Sequence, residues 1–577
     1  PKAMVKVNEV PILMNTLSIL AKYGVKETII VVGYKKEVII NTIGNNHNGM
    51  KVTYVVNDKY DKTNNIYSLW LAKDLVKENV LLIEGDIFFE EKLIEETIKD
   101  ENQNLVLVDL YKPYMDGTVL EVNHQDNSIK QLIAKKAQGM DFDFSNKYKT
   151  INVYHFTKEF FNNFFVPNLE TYIKTQALTQ YYELILGVLV YIGYPKLYAR
   201  IVDNIKWYEI DDRNDLEKAE YLFASETKKS QMINSIYGGY WRYDFLDFCY
   251  LYNLYFPTER IYNEIKHILP KLVSNYPSGA NEIKKLIARW LNVPAQDVIV
   301  GNGASELIKL INRELVKKMT IPVPGFNEYE RTLNSEQINY FHLAEDDFIL
   351  EPEKYVKSVK DSKSNSALII NPNNPTGIYL EKDKIIFILK ELKNLDMIIV
   401  DESFIDFVDK ENVSLINNYQ DFRNLIILKS LSKVYGIPGL RLGYALSKNK
   451  SFIEKITSEL PIWNINSIAE YFLEILIKYQ DEFKRSCKKI IDDRKNFIER
   501  LKKIQWLKIH LSSANYVFAK ILSDRTSTEI KNILFEKHKA LIKDCSNKKG
   551  LKEDKYIRIT VRKPEENDIL VNALSEI

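Results

Sequence analysis

The stretch Ile427-Leu428-Lys429-Ser430-Leu431-Ser432-Lys433-Val434-Tyr435-Gly436-Ile437-Pro438-Gly439-Leu440-Arg441-Leu442-Gly443-Tyr444 decides the fold of this chain. An apolar run closes in Ser-Leu-Ser, a lysine follows, a turn broken by glycine and proline comes next, and Arg441 stands eight residues beyond Lys433. This pattern predicts a buried strand that delivers a lysine to the mouth of a sheet. A lysine that attacks a carbonyl must be rigidly held and partly neutral, because an ammonium has no lone pair to give. Flanking hydroxyls and a planar, always-charged guanidinium suit a phosphate. Most lysines after a buried strand are ordinary surface residues. Serines at −3 and −1 with an arginine at +8 set this one apart.

Outward from the lysine, three further segments fit one site. Ala367-Leu368-Ile369-Ile370-Asn371-Pro372-Asn373-Asn374-Pro375-Thr376-Gly377 reads as a strand followed by two X-Pro steps, which force a rigid turn and aim Asn374. Met397-Ile398-Ile399-Val400-Asp401 is an apolar strand ending in a carboxylate, 32 residues before Lys433. Val298-Ile299-Val300-Gly301-Asn302-Gly303-Ala304-Ser305-Glu306-Leu307 reads as strand, tight turn and helix. Gly303, Ala304 and Ser305 would stand at that helix N-terminus, where free amides and the dipole favour a phosphate.

Together these residues resemble the pyridoxal-phosphate (PLP) site of fold-type I aminotransferases, in the branch that holds histidinol-phosphate aminotransferase and threonine-phosphate decarboxylase. The resemblance implies a fold-type I PLP-dependent transferase over residues 236–577. It implies that Lys433 bears the cofactor, Asp401 keeps its ring nitrogen protonated and Asn374 meets its phenolic oxygen. Gly303, Ala304, Ser305, Ser430, Ser432 and Arg441 would surround its phosphate. Tyr276, in Tyr276-Pro277-Ser278-Gly279, would reach the phosphate of a neighbouring subunit, which implies a homodimer. In Tyr556-Ile557-Arg558-Ile559-Thr560-Val561-Arg562, Arg558 matches the arginine that binds a substrate carboxylate. Arg562 lies four residues on, a spacing that puts both on one side of a strand and fits a dianion; a surface pair is the other reading. Ser512-Ser513-Ala514-Asn515-Tyr516 and Lys543-Asp544-Cys545-Ser546-Asn547 also match this branch. Asn253, near the family's substrate-loop asparagine, falls in an aromatic-rich stretch at 236–256 that reads as a packing arm or an active-site lid. Phe404 departs from the pattern, standing where aminotransferases commonly carry a tyrosine on the phenolic oxygen.

Residues 1–225 alternate short β-branched runs with amphipathic segments. Residues 28–32, 52–56, 80–83 and 105–108 read as strands, and 12–23 and 67–76 as helices, which predicts a layered α/β sheet with ligands at the carboxyl ends of strands. Asp86, in Leu81-Leu82-Ile83-Glu84-Gly85-Asp86, and Asp211, in Trp207-Tyr208-Glu209-Ile210-Asp211-Asp212, each end a strand-like run. Two such carboxylates could clamp Mg²⁺ together with substrate phosphates. Either alone is more often a turn or cap acid. With Pro1-Lys2-Ala3-Met4, Val31-Val32-Gly33-Tyr34 and Asn64-Asn65-Ile66-Tyr67-Ser68, these segments resemble sugar-phosphate-type nucleotidyltransferases, most closely the phosphocholine cytidylyltransferase branch. That resemblance implies a GT-A/Rossmann-like α/β sandwich, with Asp86 and Asp211 on Mg²⁺ and Asp86 catalytic. Lys2 would hold a phosphate, Gly33 and Asn65 the nucleotide or acceptor, and Lys149 and Asn152 the acceptor's phosphorus group. The family's glycine-rich phosphate loop directly precedes the Pro-Lys, so either this domain is inactive or, as is expected, a stretch of roughly two dozen residues stands ahead of Pro1. A polar segment at 226–235 reads as the linker to the second domain.

Composition narrows the rest. Lys+Arg at 80 against Asp+Glu at 78 leaves no global basic field for nucleic acid. The 3 cysteines, far apart and odd in number, form neither a disulfide framework nor a metal cluster, which suits a reducing, cytoplasmic setting. The longest uncharged stretch, 184–195, falls short of the roughly 20 residues that span a bilayer. Three functions remain. In the first, the second domain transaminates phosphonoacetaldehyde to 2-aminoethylphosphonate, using an amino donor, and the first domain couples that product to CMP from CTP. In the second, a phospho-amino acid is decarboxylated and the resulting phosphoethanolamine or a phosphocholine-like amine is cytidylylated. In the third, one domain is only a binding module for the other. The motifs around Lys433 serve transamination and decarboxylation alike.

Overall fold

The computed structural model describes residues 1–102, 104–139, 142–176, 178–343 and 347–577. They divide into two compact units, Pro1–Met232 and Ile233–Ile577. The segment expected as a linker is instead a helix, Glu226–Ser235. Its residues are mostly adequate helix formers, and Ser225 Oγ accepts the amide of Lys228 at its start, the work of an N-cap.

In the first unit the main sheet runs Ile129–Ile133, Val119–Val122, Tyr148–Phe156, Leu105–Leu110, Tyr198–Ile201, and Val80–Ile83 pairs with the far half of Tyr148–Phe156. A second sheet lays Glu27–Val32 parallel to Met50–Val56. The helices at its start are Ile12–Lys22 and Asn65–Ala72. The second is shorter than the periodicity predicts: it begins at an Asn64 cap and gives way to a 3₁₀ turn at Lys73–Leu75. The short ribbon Ile87–Phe89 with Trp207–Glu209 matters most for function, since its antiparallel register puts the residues just outside each strand opposite one another. Apolar side chains such as Leu17, Ile94, Leu107 and Val153 fill the core beneath.

The second unit has two sheets. Seven strands run Val298–Asn302, Leu442–Leu446, Leu425–Ser430, Met397–Asp401, Ser366–Ile370, Met319–Val323, Ile338–His342. Only Leu442–Leu446 is antiparallel to its neighbours. Every residue of Ser366–Ile370, Met397–Asp401 and Leu425–Ser430 is buried, as parallel strands covered on both faces must be. Their apolar runs therefore end together, and their last side chains emerge along one edge. The smaller sheet orders Leu246–Phe248, Ala540–Asp544, Tyr556–Thr560, Tyr516–Ile521, Leu507–Ile509. Among the described residues no helix is long and apolar enough to cross a membrane.

Candidate active sites

At the carboxyl edge of the seven-stranded sheet lies a cavity of about 540 Å³, within the usual range for small-molecule sites. Strand Leu425–Ser430 passes into a single helical turn, Leu431–Val434, which carries Lys433 to the cavity wall. Two close backbone approaches hold this turn. Gly436, at φ +61°, leaves no room for a side chain beneath the carbonyls of Phe256 and Asn253. Asn253 N donates to Lys433 O at 2.9 Å, and Asn253 Nδ2 donates to Val434 O at 3.0 Å and Ser486 Oγ at 2.8 Å. Asn253 is thus buried beneath the lysine's backbone, and the expectation that it binds substrate is corrected: its amide is consumed in fixing the lysine turn.

Burial pushes the Lys433 ammonium down to about 8, the Arg558 and Arg441 guanidinium groups add to the effect, and Asp401 opposes it. A substantial share of Lys433 is therefore neutral near physiological pH. Asp401 lies fully inside the protein, where burial raises its carboxyl above the ordinary range. Its Oδ1 accepts Ser403 N at 2.9 Å and its Oδ2 accepts Tyr329 Oη at 2.9 Å. The tyrosine, on a separate helical turn, carried no motif that could announce it. On the phosphate side, the Arg441 guanidinium crosses the N-terminus of helix Ala304–Leu315 so closely that a side chain on Gly303 would come within 2.7 Å of it. Ala304, Ser305, Ser430 and Arg441 all line the cavity. Ser432 Oγ is buried and lacks a partner among the described residues. This set fits PLP: a basic amine, an acid for a ring nitrogen, and a cup of hydroxyls, helix amides and guanidinium for a phosphate.

Asn374 and Arg558 meet above it, Arg558 Nη1 donating to Asn374 Oδ1 and Nη2 to Cys249 O, both at 2.7 Å. Arg562 does not join them. Strand Tyr556–Thr560 ends before it, so strand alternation no longer governs its direction, and its guanidinium turns to Asp247 O and Glu566 Oε1, both at 2.7 Å. The expected paired arginines are replaced by one. Tyr276 is 79% exposed and stacks on Trp463 with ring centroids 4.4 Å apart, away from the cavity of its own chain. Phe404 lines the cavity and brings no hydroxyl.

In the first unit, the ribbon sets Asp86 and Asp211 on either side of Lys2, whose Nζ donates to Asp86 Oδ2 at 2.8 Å and Asp211 Oδ1 at 2.6 Å. Burial works against the charge on Lys2, but the bonds to Asp211 and Asp86 hold it above its ordinary value. Asp86 Oδ1 is buried without a partner among the described residues. The two carboxylates thus frame a seat for a cation, and Lys2 fills it. No group of three or more His, Cys, Asp or Glu among the described residues is arranged to hold a metal, so Mg²⁺ here would need oxygens from a bound phosphate.

Behind this pair stand three glutamates that no motif singled out. Glu84 Oε1 accepts Asn65 Nδ2 at 2.9 Å and Tyr182 Oη at 2.8 Å, and Asn65 Nδ2 also reaches Glu183 Oε2 at 3.4 Å. Burial, then the neighbouring Glu183 and Asp86, push Glu84 up to about 8. Glu209 receives Lys149 Nζ at 3.1 Å and Asn152 Nδ2 at 3.0 Å. Lys149 and Asn152 are thus spoken for by a carboxylate, a partner the sequence spacing did not suggest. Gly33 packs against Tyr60. Glu84 and Glu209 sit in runs read for their terminal aspartates; only chain folding shows that their side chains converge.

Residues 250–574 match the aminotransferase class I and II family. The chain belongs to that family. Residues 8–158 match a domain of unknown function, DUF6564. A CMP-5'-(3-aminopropyl)phosphonate synthase of Streptomyces rubellomurinus is 32% identical over 584 residues, covering 100% of this chain and 92% of its own length. An L-serine phosphate decarboxylase of Campylobacter jejuni is 32% identical over 318 residues, 54% of this chain and 81% of that protein. Among solved structures, a decarboxylase from Sulfurospirillum multivorans aligns with TM-score 0.54 and 32% identity over 57% of this chain and 87% of its own. The histidinol-phosphate aminotransferase of Clostridium acetobutylicum aligns with TM-score 0.53 and 28% identity over 57% of this chain and 98% of its own. The second unit of this aminotransferase-family protein therefore has the fold-type I architecture, whose family implies PLP.

Proposed function

We propose that this chain makes a CMP-linked aminoalkyl phosphorus compound: the second unit generates a small amine bearing a phosphorus oxyanion, and the first transfers CMP from CTP to that oxyanion with release of pyrophosphate. The observation that carries the reading is the single cavity in which a partly neutral Lys433, a buried Asp401 and Arg558 converge. The whole-length similarity to a synthase whose name joins CMP to an aminoalkyl phosphonate supports the pairing of the two units. The acceptor favoured is 2-aminoethylphosphonate, formed by transamination of phosphonoacetaldehyde. The protein is proposed to act as a homodimer through its second unit.

PLP, when bound, supplies a carbonyl for a lysine and a ring that withdraws electrons from the substrate. Lys433 would hold it covalently, Asp401 its ring nitrogen, and Ser305, Ser430 and Arg441 its phosphate. Tyr329 and the Ser403 amide hold the Asp401 carboxylate in place; each hydrogen bond to a charged group contributes about 1.5–3 kcal/mol. Lys433 Nζ is the base that takes and returns the proton at the substrate α carbon. Arg558 anchors a substrate carboxylate. In the first unit Asp86 and Asp211 would hold Mg²⁺, which offsets the charge of the triphosphate. Lys2, already between them, contributes a second cation to the same phosphates.

A second reading is favoured by a specific observation. The chain is similar to L-serine phosphate decarboxylases at 32% and 33% identity, and Arg558, which lines the cavity, would anchor a carboxylate in either reaction. Decarboxylation of a phospho- or phosphono-amino acid would then supply the amine. One set of assays separates these. With CTP and Mg²⁺, addition of 2-aminoethylphosphonate is expected to release pyrophosphate, and no release would remove the cytidylyl-transfer reading. Carbon dioxide from O-phosphoserine, with no amine formed from phosphonoacetaldehyde, would replace transamination by decarboxylation.

A further inference from the structure

Four residues before Lys433 the chain carries a second buried lysine. Lys429 stands in strand Leu425–Ser430 after Ile426, Ile427 and Leu428, is 6% exposed and faces Tyr444 across the sheet. Its Nζ lies 2.7 Å from Asp406 Oδ2. A strand covered on both faces has no need of an ion pair, since taking charges out of water is costly and apolar residues of similar volume are often as stable. What the pair holds gives it a use.

Asp406 belongs to the turn Ile405–Phe407, which follows directly on Asp401-Glu402-Ser403-Phe404. Three consecutive residues of the lysine strand grip this segment. Leu428 O accepts the amide of Glu402 at 2.8 Å, Ser430 N donates to Ser403 Oγ at 2.9 Å, and Lys429 between them takes Asp406. Beyond Asp406, the buried Arg494 donates from Nη1 to Phe407 O at 2.8 Å and to Ala514 O at 3.0 Å. The clamped segment carries Asp401 at one end and Phe404 within it, and both line the cavity. The clamping strand runs on to Lys433. Two of the three grips fall side by side at Glu402 and Ser403. The third, at Asp406, stops the segment from pivoting about them. It thereby fixes the separation of Asp401 and Lys433, which the ring nitrogen and the carbonyl of PLP would meet.

The two lysines are buried alike and charged differently. Burial drives both toward the neutral amine, and Lys433 falls to about 8. Burial works equally against Lys429, but Asp406, Tyr444 and Glu402 hold it above its ordinary value. One lysine is poised for chemistry and the other kept as a permanent cation.

We propose that Lys429, acting through Asp406, is a positioning residue for PLP: it locks the segment of Asp401 and Phe404 against the strand of Lys433 and so sets the span across which the cofactor is held. This rests on the reading that Lys433 and Asp401 hold PLP, and it assigns a role to two residues that stand outside the lining of the cavity.

The test removes the pair without leaving a lone charge. Full-length protein is stripped of PLP, melted without it, and retitrated with it while the absorbance of the cofactor is followed. Lys429→Met and Asp406→Leu should each lower Tm, because each leaves the partner's charge unpaired. Combined, they should bring Tm back yet bind PLP about tenfold more weakly than wild type, the scale of one loosened hydrogen bond to a charged group, with a shifted cofactor band. Lys429→Arg, which keeps the cation, should retain both the affinity and the band. A double variant with the wild-type affinity and band overturns the proposal, for the pair then serves stability alone. If the double variant does not fold, Asp406→Asn is read against Asp406→Glu: weaker PLP binding in the first alone sustains the proposal, and equal binding overturns it. A wild type that takes up no PLP overturns the proposal together with the cofactor reading beneath it.

Discussion

Lys433 is a strained choice for a buried position, and its strain has a measurable sign. Its folded value lies at about 8 and its unfolded value at the ordinary lysine value of 10.5, so between those limits the unfolded chain binds more protons. Stability of the cofactor-free protein should therefore rise as pH rises from about 8 to 10, and below 8 the full penalty is present. Lys433→Met should abolish turnover yet stabilise the cofactor-free protein at pH 7 by about 1–3 kcal/mol, the scale of a shift of this size. Denaturant unfolding at pH 7 and 9.5 checks it; equal pH slopes for wild type and variant would contradict it. Glu84 carries the opposite sign. Its folded value is raised to about 8, so the folded state binds more protons above the ordinary carboxylate range. Stability of the first unit should fall as pH rises from 5 to 8, and Glu84→Gln, which keeps an acceptor for Asn65 and Tyr182, should flatten that slope in thermal melts. Of these residues, Lys433 and Asp401 were legible in sequence because Asp401 ends an apolar run of strand length and Lys433 follows one within three residues. Glu84, Glu183 and Tyr329 were not, because burial beside a partner distant in the chain leaves no local pattern.

At the scale of elements, the phosphate cup depends on a strand lying almost against a helix N-terminus. An added side-chain carbon on Gly443 would lie 2.8 Å from the carbonyl carbon of Gly303 and closer still to the amide of Ala304. Gly443→Ala should push the helix away from the strand. We expect a loss above 2 kcal/mol, in the range typical of overpacking, and weaker PLP retention on dialysis. Retention equal to wild type would show that the helix N-terminus does not set the cup. A gentler case sits in the first unit, where Asp212 caps helix Arg213–Phe223 through the amides of Asn214 and Asp215. Asp212→Ala should cost about 1 kcal/mol by urea unfolding, the usual worth of such a cap, and leave PLP binding unchanged. Arg562 gives the reverse lesson. Its spacing from Arg558 was legible, but spacing determines facing only while a strand continues, and this one stops at Thr560.

For the whole molecule, each unit carries its own apolar core: Leu17, Ile94 and Val153 in one, and Ile398, Ile427 and Leu446 in the other. Calorimetry should therefore resolve two transitions, with PLP raising the one that belongs to the second unit. A single transition displaced as a whole by PLP would mean that the two cores melt together.

The amino-acid sequence by itself determined the alternation of strand and helix and the family of the second unit. Those features are local: an apolar run, a proline turn and a carboxylate at a strand end are each written in consecutive residues, and parallel strands buried on both faces leave an unmistakable trace. Tertiary structure alone decided which charges meet. Lys543 is brought into the cavity where Lys433 stands because its strand pairs with the one bearing Arg558, and Glu84 and Glu183 come together on Asn65, whose side chain donates to both. Charged side chains recur throughout a chain with 27% charged residues, so their spacing carries little information. Their effect depends on burial and distance, which exist only once the chain has folded.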